Sequence, residues 1–129
     1  MLDHIGFPVS DLAKSKAFYA ATLAPLGIRV LFEIPPETSG GAAFAGFGAV
    51  KPRFWIGTGE ALKGQLHVAF AAKDREAVDA FYDAALAAGG RDNGPPGERP
   101  HYHEGYYAAF ILDPDGHNVE AVCHGKEWE

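Results

Sequence analysis

The stretch HIGFPVSDLAKSKAFYAATL, from residue 4, returns 63 residues later as HVAFAAKDREAVDAFYDAAL, from residue 67. His4 matches His67, Phe7 matches Phe70, and Asp11 matches Asp74. Ala17-Phe18-Tyr19 then matches Ala80-Phe81-Tyr82, followed by Leu23 with Leu86 and Gly27 with Gly90. A period of about half the chain means two copies of one supersecondary unit. Neither copy is long enough to hold a core alone, so the two must pack together.

Each copy opens with alternating apolar residues, as a strand does. A Ser or Asp suited to cap a helix follows, and then apolar residues at near-helical spacing. In the first copy, residues 2 to 9 are expected as a strand. Ser10 or Asp11 caps a helix that Pro25 and Gly27 end. Strands are expected over 28–34, 42–48 and 53–58, with 35–41 as a loop and a turn near 50–52. In the second copy a strand is expected over 65–71, a helix from Asp74 to about Ala88, and a short strand near Arg91 and Asp92. The loop GPPGERP comes next, then strands over 106–112 and 118–124 around the turn DPDG at 113–116. The fold class is therefore α+β: two tandem βαβββ modules forming a curved mixed sheet around a cup, with the helices outside. All 129 residues are expected to form a single domain, with module 1 at about 1–60 and module 2 at about 64–126.

Composition removes several functions. With 47% hydrophobic residues the chain has material for a core, and its net charge of -6, with 11 basic residues scattered among 17 acidic ones, argues against a nucleic-acid partner. No segment approaches the roughly 18 apolar residues of a membrane span, and the first residues have no apolar stretch of signal-peptide length, so a cytoplasmic protein is expected. Cys123 is the single cysteine and lies in the apolar run VEAVC, where a thiol is expected to pack.

The repeated histidines carry the chemistry. His4 and His67 occupy equivalent places in the first strand of each module, and the duplication is expected to bring them together in one cavity. Glu120 stands in the apolar strand NVEAV, where burying an unpaired carboxylate would cost several kcal/mol, so it is expected to face a cation. Two imidazoles and one carboxylate make a metal face suited to Fe(II), Mn(II), Zn(II), Ni(II) or Co(II), with positions left for a ligand.

Other residues offer themselves nearby. In PHYHEGYY, residues 100 to 107, His101, His103 and Glu104 form an accessory metal site, a proton shuttle, a loop over the cup mouth, or a merely solvated loop. Tyr107 is a candidate general acid or oxyanion donor. One of the alternating pairs Arg53/Trp55 and Phe54/Ile56 lines the pocket, and an inward Arg53 would indicate an anionic substrate. Asp113 and Asp115 are expected as turn formers, and His117 and His124 as surface or strand-end residues.

The pattern H-x-x-F-x-V-x-D with a following A-F-Y, its echo in the second half, and the late D-P-D-G-x-x-x-E resemble the vicinal oxygen chelate superfamily. That superfamily groups glyoxalase I, extradiol dioxygenases, fosfomycin-resistance transferases and bleomycin-resistance proteins. The resemblance covers essentially the whole chain. It implies paired βαβββ modules and one divalent metal on His4, His67 and Glu120. It further implies a metal-dependent enzyme, of lyase, isomerase or dioxygenase type, acting on a small oxygenated metabolite that chelates the metal through neighbouring oxygens. Glu120, Tyr107 and His103 are its candidate catalytic residues, and no organic cofactor is expected. Glyoxalase I usually adds a fourth ligand from the last strand of module 1, where this chain has Phe54, Trp55, Ile56 and Gly57, with Glu60 beyond. The alternative is a non-catalytic small-molecule or drug-binding protein of the bleomycin-resistance type. In related proteins the modules often pair between chains. A homodimer is therefore expected, with His4 of one chain facing His67 and Glu120 of the other.

Overall fold

Asp11 and Asp74, one of the repeated pairs, do the same work twice. The Asp11 carboxylate accepts from the Lys14 backbone N–H at 3.1 Å, and the Asp74 carboxylate from that of Ala77 at 2.8 Å. Each satisfies an otherwise unpaired donor at the start of a helix. The helices are α1 (Leu12–Leu23) and α3 (Arg75–Ala87). A turn of 3₁₀ helix, Ala24–Leu26, follows α1 and closes at Gly27, whose φ of 77° lies in the left-handed region that favours glycine.

The computed structural model describes residues 1–125; residue 126, where the second module was expected to end, lies outside the described residues. Module 1 contributes β1 (Ile5–Val9), β2 (Arg29–Ile34), β3 (Phe44–Gly48) and β4 (Phe54–Thr58), and the short helix α2 (Pro36–Ser39) stands within the expected 35–41 loop. Module 2 contributes β5 (His67–Ala71), β6 (Arg91–Glu98), β7 (Tyr107–Leu112) and β8 (Asn118–Cys123). The strand orders are β1-β4-β3-β2 and β5-β8-β7-β6. The first strand of each module runs parallel to the last, and the other pairs are antiparallel. The expected modules are therefore present, as two four-stranded mixed sheets, each curving into its own half-cup.

One expected loop is a strand. GPPGERP largely belongs to β6, which pairs with β7 through register shifts between Asp92 and Gly94 and between Gly94 and Gly97. Proline is tolerated there because β6 is an edge strand with one side unpaired, and the shifts absorb the residues that cannot join the ladder.

Strand alternation sends one face of each sheet to the helices. Phe7, Val9, Phe47, Phe54 and Ile56 are buried with Phe18, Tyr19 and Leu23 of α1. Ala109, Ile111, Val119 and Ala121 are buried with Val78, Phe81 and Ala85 of α3. The two sets form one continuous apolar cluster. Phe54 meets Phe70 edge to face at 5.1 Å across the modules.

The DPDG turn adds a polar seam between the modules. Asp113, expected only as a turn former, is 3% exposed and accepts the Tyr19 hydroxyl at 2.5 Å as well as the backbone N–H groups of Asp115 and His117. Burial first, and then the Asp113 charge, push the Tyr19 phenol far above its ordinary range. Asp115 accepts from the backbone and hydroxyl of Ser10. His117, expected near the surface, is buried edge-on against Phe7 at 5.6 Å. A turn that docks on the other module buries what a free turn would expose.

Candidate functional site

In β8, Asn118, Glu120 and Val122 point away from the helices, and in β7 Phe110 lies opposite Glu120. His67 begins β5, and Ala69 is the register partner of Glu120, so the imidazole stands on the same concave face. Its Nε2 lies 2.8 Å from Glu120 Oε1. Glu120 is 1% exposed. Its second oxygen accepts the Tyr106 hydroxyl. Burial, then the hydrogen bond to Glu120, raise the Tyr106 phenol well above its ordinary value, so it holds its proton throughout the neutral range. A cavity of about 420 Å³ is lined by His67, Tyr102, His103, Tyr106, Phe110 and Glu120.

The concave face of module 1 is different. Its cavity of about 560 Å³ is walled by Pro8, Ile34, Phe44 and Trp55, with His4 and Thr58 as polar groups. The glycines make this floor. A β-carbon on Gly46 would stand 2.8 Å from the Trp55 ring, and one on Gly57 would stand 2.5 Å from the Phe44 ring, so both rings lie flat over bare backbone. Trp55 faces Gly6 across β1 and β4, which makes it the counterpart of Glu120 facing Ala69.

His4 is held from one side. Its Nδ1 lies 2.8 Å from Asp3 Oδ2, and Asp3 also receives Lys51 on its carboxylate and Arg53 Nη1 on its carbonyl. The hydrogen bond from Lys51, and next that from His4, hold the Asp3 carboxyl down at about 2. An imidazole that donates Nδ1–H to a carboxylate presents Nε2 as an acceptor, which is the form a metal ligand takes.

The expected triad is thus divided. His67 and Glu120 meet in one half-cup and His4 lines the other, so the duplication does not bring the two imidazoles into one cavity of one chain. Among the described residues, no three His, Cys, Asp or Glu side chains gather closely enough to hold an ion. The physical reason is the packing of α1 against α3, which joins the modules through their helix faces and leaves each concave face separate.

Tyr107, expected beside Glu120, faces the other way. Its hydroxyl donates to Asp79 on α3 at 2.7 Å, and the Arg75 guanidinium lies 4.7 Å from its ring. Strand parity puts Tyr106 and Phe110 on the concave face and Tyr107 with Ala109 and Ile111 on the helix side. Tyr106 is therefore the phenol that was missed. Counting two and four residues back from Phe110, across the ladder from Glu120, would have found the face.

His103 does line the cavity. It donates Nδ1–H to the Glu104 carbonyl at 2.8 Å, and its Nε2 lies 3.0 Å from His124 Nδ1. His101 is exposed, with its ring 4.3 Å from that of Tyr102. Trp55, and not Phe54, supplies the concave face of β4, while Arg53 is exposed and engaged by Asp3. Glu60 is exposed, and Cys123 is buried.

The family model described as the Glyoxalase/Bleomycin resistance protein/Dioxygenase superfamily matches residues 1–121. A glyoxalase/bleomycin resistance protein from Albidiferax ferrireducens T118 is 31% identical, with a TM-score of 0.71, over 95% of this chain and 97% of that one. The chain belongs to this superfamily. Two further structures share its fold. FosX, a fosfomycin resistance protein from Listeria monocytogenes complexed with Mn(II) and 1S,2S-dihydroxypropylphosphonic acid, is 23% identical with a TM-score of 0.72, over 98% of this chain and 94% of that one. An E144Q mutant of glyoxalase I from Zea mays is 23% identical with a TM-score of 0.68, over 92% of this chain and 45% of that one. Among curated proteins none matches. No helix among the described residues is long and apolar enough to cross a membrane.

The superfamily includes metal-dependent enzymes, and the second half-cup fits a divalent cation in its donor chemistry. Adjacent ligands at about 2.1 Å from one ion and at right angles to it stand about 3.0 Å apart, close to the 2.8 Å between His67 Nε2 and Glu120 Oε1. A carboxylate buried as deeply as Glu120 gains from a cation beside it. The Tyr106 hydroxyl on its other oxygen is the kind of outer partner that fixes a ligating carboxylate.

Proposed function

We propose that the protein is a divalent-metal-dependent enzyme of the glyoxalase/dioxygenase group, acting on a small oxygenated metabolite that chelates the metal through neighbouring oxygens. The single observation that carries this is the buried Glu120 carboxylate held between the His67 imidazole and the Tyr106 hydroxyl. His67 and Glu120 hold the ion, and His4 of a second copy of the chain completes the set, because the two ligand-bearing faces of one chain lie in separate half-cups. The assembly is a homodimer in which module 1 of one copy closes over module 2 of the other.

When bound, the cation polarises the ligand's oxygens and holds negative charge as it develops. This chain's own residues do the rest. Tyr106 retains its proton and orients Glu120 through Oε2. His103 stands at the cavity wall within reach of a ligand proton. Trp55, Phe44 and Ile34 of the closing module seat the ligand's apolar part and exclude water. Trp55 stands at the position equivalent to Glu120, so module 1 lacks the fourth protein ligand usual in glyoxalase I. This favours a three-ligand site.

The apolar cavity of module 1 also suits a second reading, a binding module that sequesters a small molecule without turning it over. Metal analysis separates the two. Protein purified without added metal, or supplemented with Mn(II) and freed of excess, is expected to carry about one ion per chain, and Glu120→Ala is expected to carry none. No ion in the wild type after supplementation with each of Mn(II), Fe(II), Co(II), Ni(II) and Zn(II) would favour the binding module.

A further inference from the structure

Arg99 follows β6, and its side chain folds back over the concave face of that strand. A β-carbon on Gly97 would stand 2.9 Å from Nη1, and one on Gly94 would stand 3.4 Å from Nη2. Gly94 and Gly97 are register partners of Phe110 and Ala108, so the bare face they leave is the one that carries Glu120 on β8. The guanidinium donates Nη2–H to the Pro95 carbonyl at 2.7 Å and sits 5.4 Å from the centre of the Phe110 ring. Phe110 lines the His67–Glu120 cavity. An edge strand with two glycines, a carbonyl anchor and an aromatic ring thus form a seat for one planar cation.

What the cation serves is the open question. The chain carries 17 acidic residues, yet among the described residues none lies within ion-pair distance of Arg99, and nearby Glu98 turns instead to Arg75 at 3.9 Å. A guanidinium has five N–H donors in a rigid fork, and the Pro95 carbonyl uses one of them. Glycines where side chains would crowd the group, together with a stacking ring, hold the fork in place in advance. Prior orientation lowers the ordering cost of binding an anion.

We propose that Arg99 is a substrate-binding residue that recognises a carboxylate on the ligand held beside His67 and Glu120, so that the substrate class is small oxygenated acids. The carboxylate accepts from the Arg99 fork, while neighbouring oxygens of the same molecule lie toward His67 and Glu120. The anion seat stands on the geometry of Arg99, and its link to the chelating oxygens rests on the metal-site reading above.

Catechol and 3,4-dihydroxybenzoate share vicinal oxygens and differ by one carboxylate. Their dissociation constants are measured on Mn(II)-loaded wild type, Arg99→Met and Arg99→Lys. Wild type is expected to bind the acid at least about tenfold more tightly than catechol, as charge-assisted hydrogen bonds provide. Arg99→Met is expected to abolish that preference and Arg99→Lys to keep part of it, with catechol affinity within about twofold in all three. Equal affinity of wild type for both ligands, or an unchanged ratio in Arg99→Met, overturns the proposal. So does a loss of catechol affinity equal to that of the acid, which would make Arg99 a packing residue for Phe110. Absence of bound metal would defeat the metal-site reading alone. Benzoate against benzyl alcohol on EDTA-treated protein, followed by NMR, then decides the anion seat. Arg99-dependent benzoate binding supports it, and no such binding overturns it.

Discussion

At the second concave position of the paired first and last strands, module 1 carries Trp55 opposite Gly6, and module 2 carries Glu120 opposite Ala69. The backbone is repeated and the chemistry is not. One half-cup is an aromatic floor over glycine with a histidine at its rim. The other holds a buried carboxylate met by an imidazole and a phenol. Duplication supplies two similar concave frames, and divergence at a single register position turns one into a site for apolar groups and the other into a site for a cation. The difference also explains why neither half-cup suffices alone: the imidazole that would complete the donor set lines the apolar one.

The largest expected effect tests that register pair directly. Glu120→Ala should lower affinity for a divalent cation by at least about 100-fold, because a ligand is lost rather than a supporting group. Trp55→Ala should leave metal affinity within about threefold, since it changes the distant lining only. Isothermal titration of both variants checks this. Equal loss in the two would mean that the two linings are not chemically distinct.

A smaller effect is expected at Asp3, which only orients His4. Asp3→Asn should lower metal affinity about tenfold, as loss of an outer-shell carboxylate does, with little change in the unfolding midpoint because Asp3 is exposed. An unchanged affinity would remove His4 from the donor set.

The smallest effect concerns the seam that joins the modules. Tyr19→Phe should cost about 1 kcal/mol by deleting the hydroxyl that Asp113 accepts. The folded Tyr19 phenol titrates above its unfolded value of 10.0. The stability this contributes is therefore present below pH 10 and falls as pH rises beyond it. Urea midpoints across pH 8 to 11 should decline less steeply above pH 10 in Tyr19→Phe than in wild type. Identical slopes would mean that the buried Tyr19–Asp113 contact does not couple to folding.

The repeat made much of this legible. The paired strands, the two aspartate caps, the buried VEAVC strand and the sharing of a face by His67 and Glu120 all follow from local periodicity and residue type. What escaped depended on relations beyond one element. Tyr106 and Tyr107 are adjacent, and only the count across the β7–β8 ladder tells which meets Glu120. The prolines of β6 read as a loop because edge position, which tolerates them, is a property of the sheet. Asp113 and His117 are buried by the other module, so their own neighbours in sequence could not show it. The separation of His4 from His67 has the same origin: a repeat sets where each residue lies in its module and leaves open how the modules are joined.

The claim that the two unlike half-cups complete each other between chains is tested most directly by mixing His4→Ala and Glu120→Ala proteins under proven subunit exchange and measuring bound Mn(II). Neither variant alone should hold the ion. Each mixed dimer should regain one intact site, and statistical exchange should restore about one quarter of the wild-type metal content, since half of the dimers are mixed and each has one of its two sites whole. A mixture that binds no more metal than the separate variants would contradict the shared site.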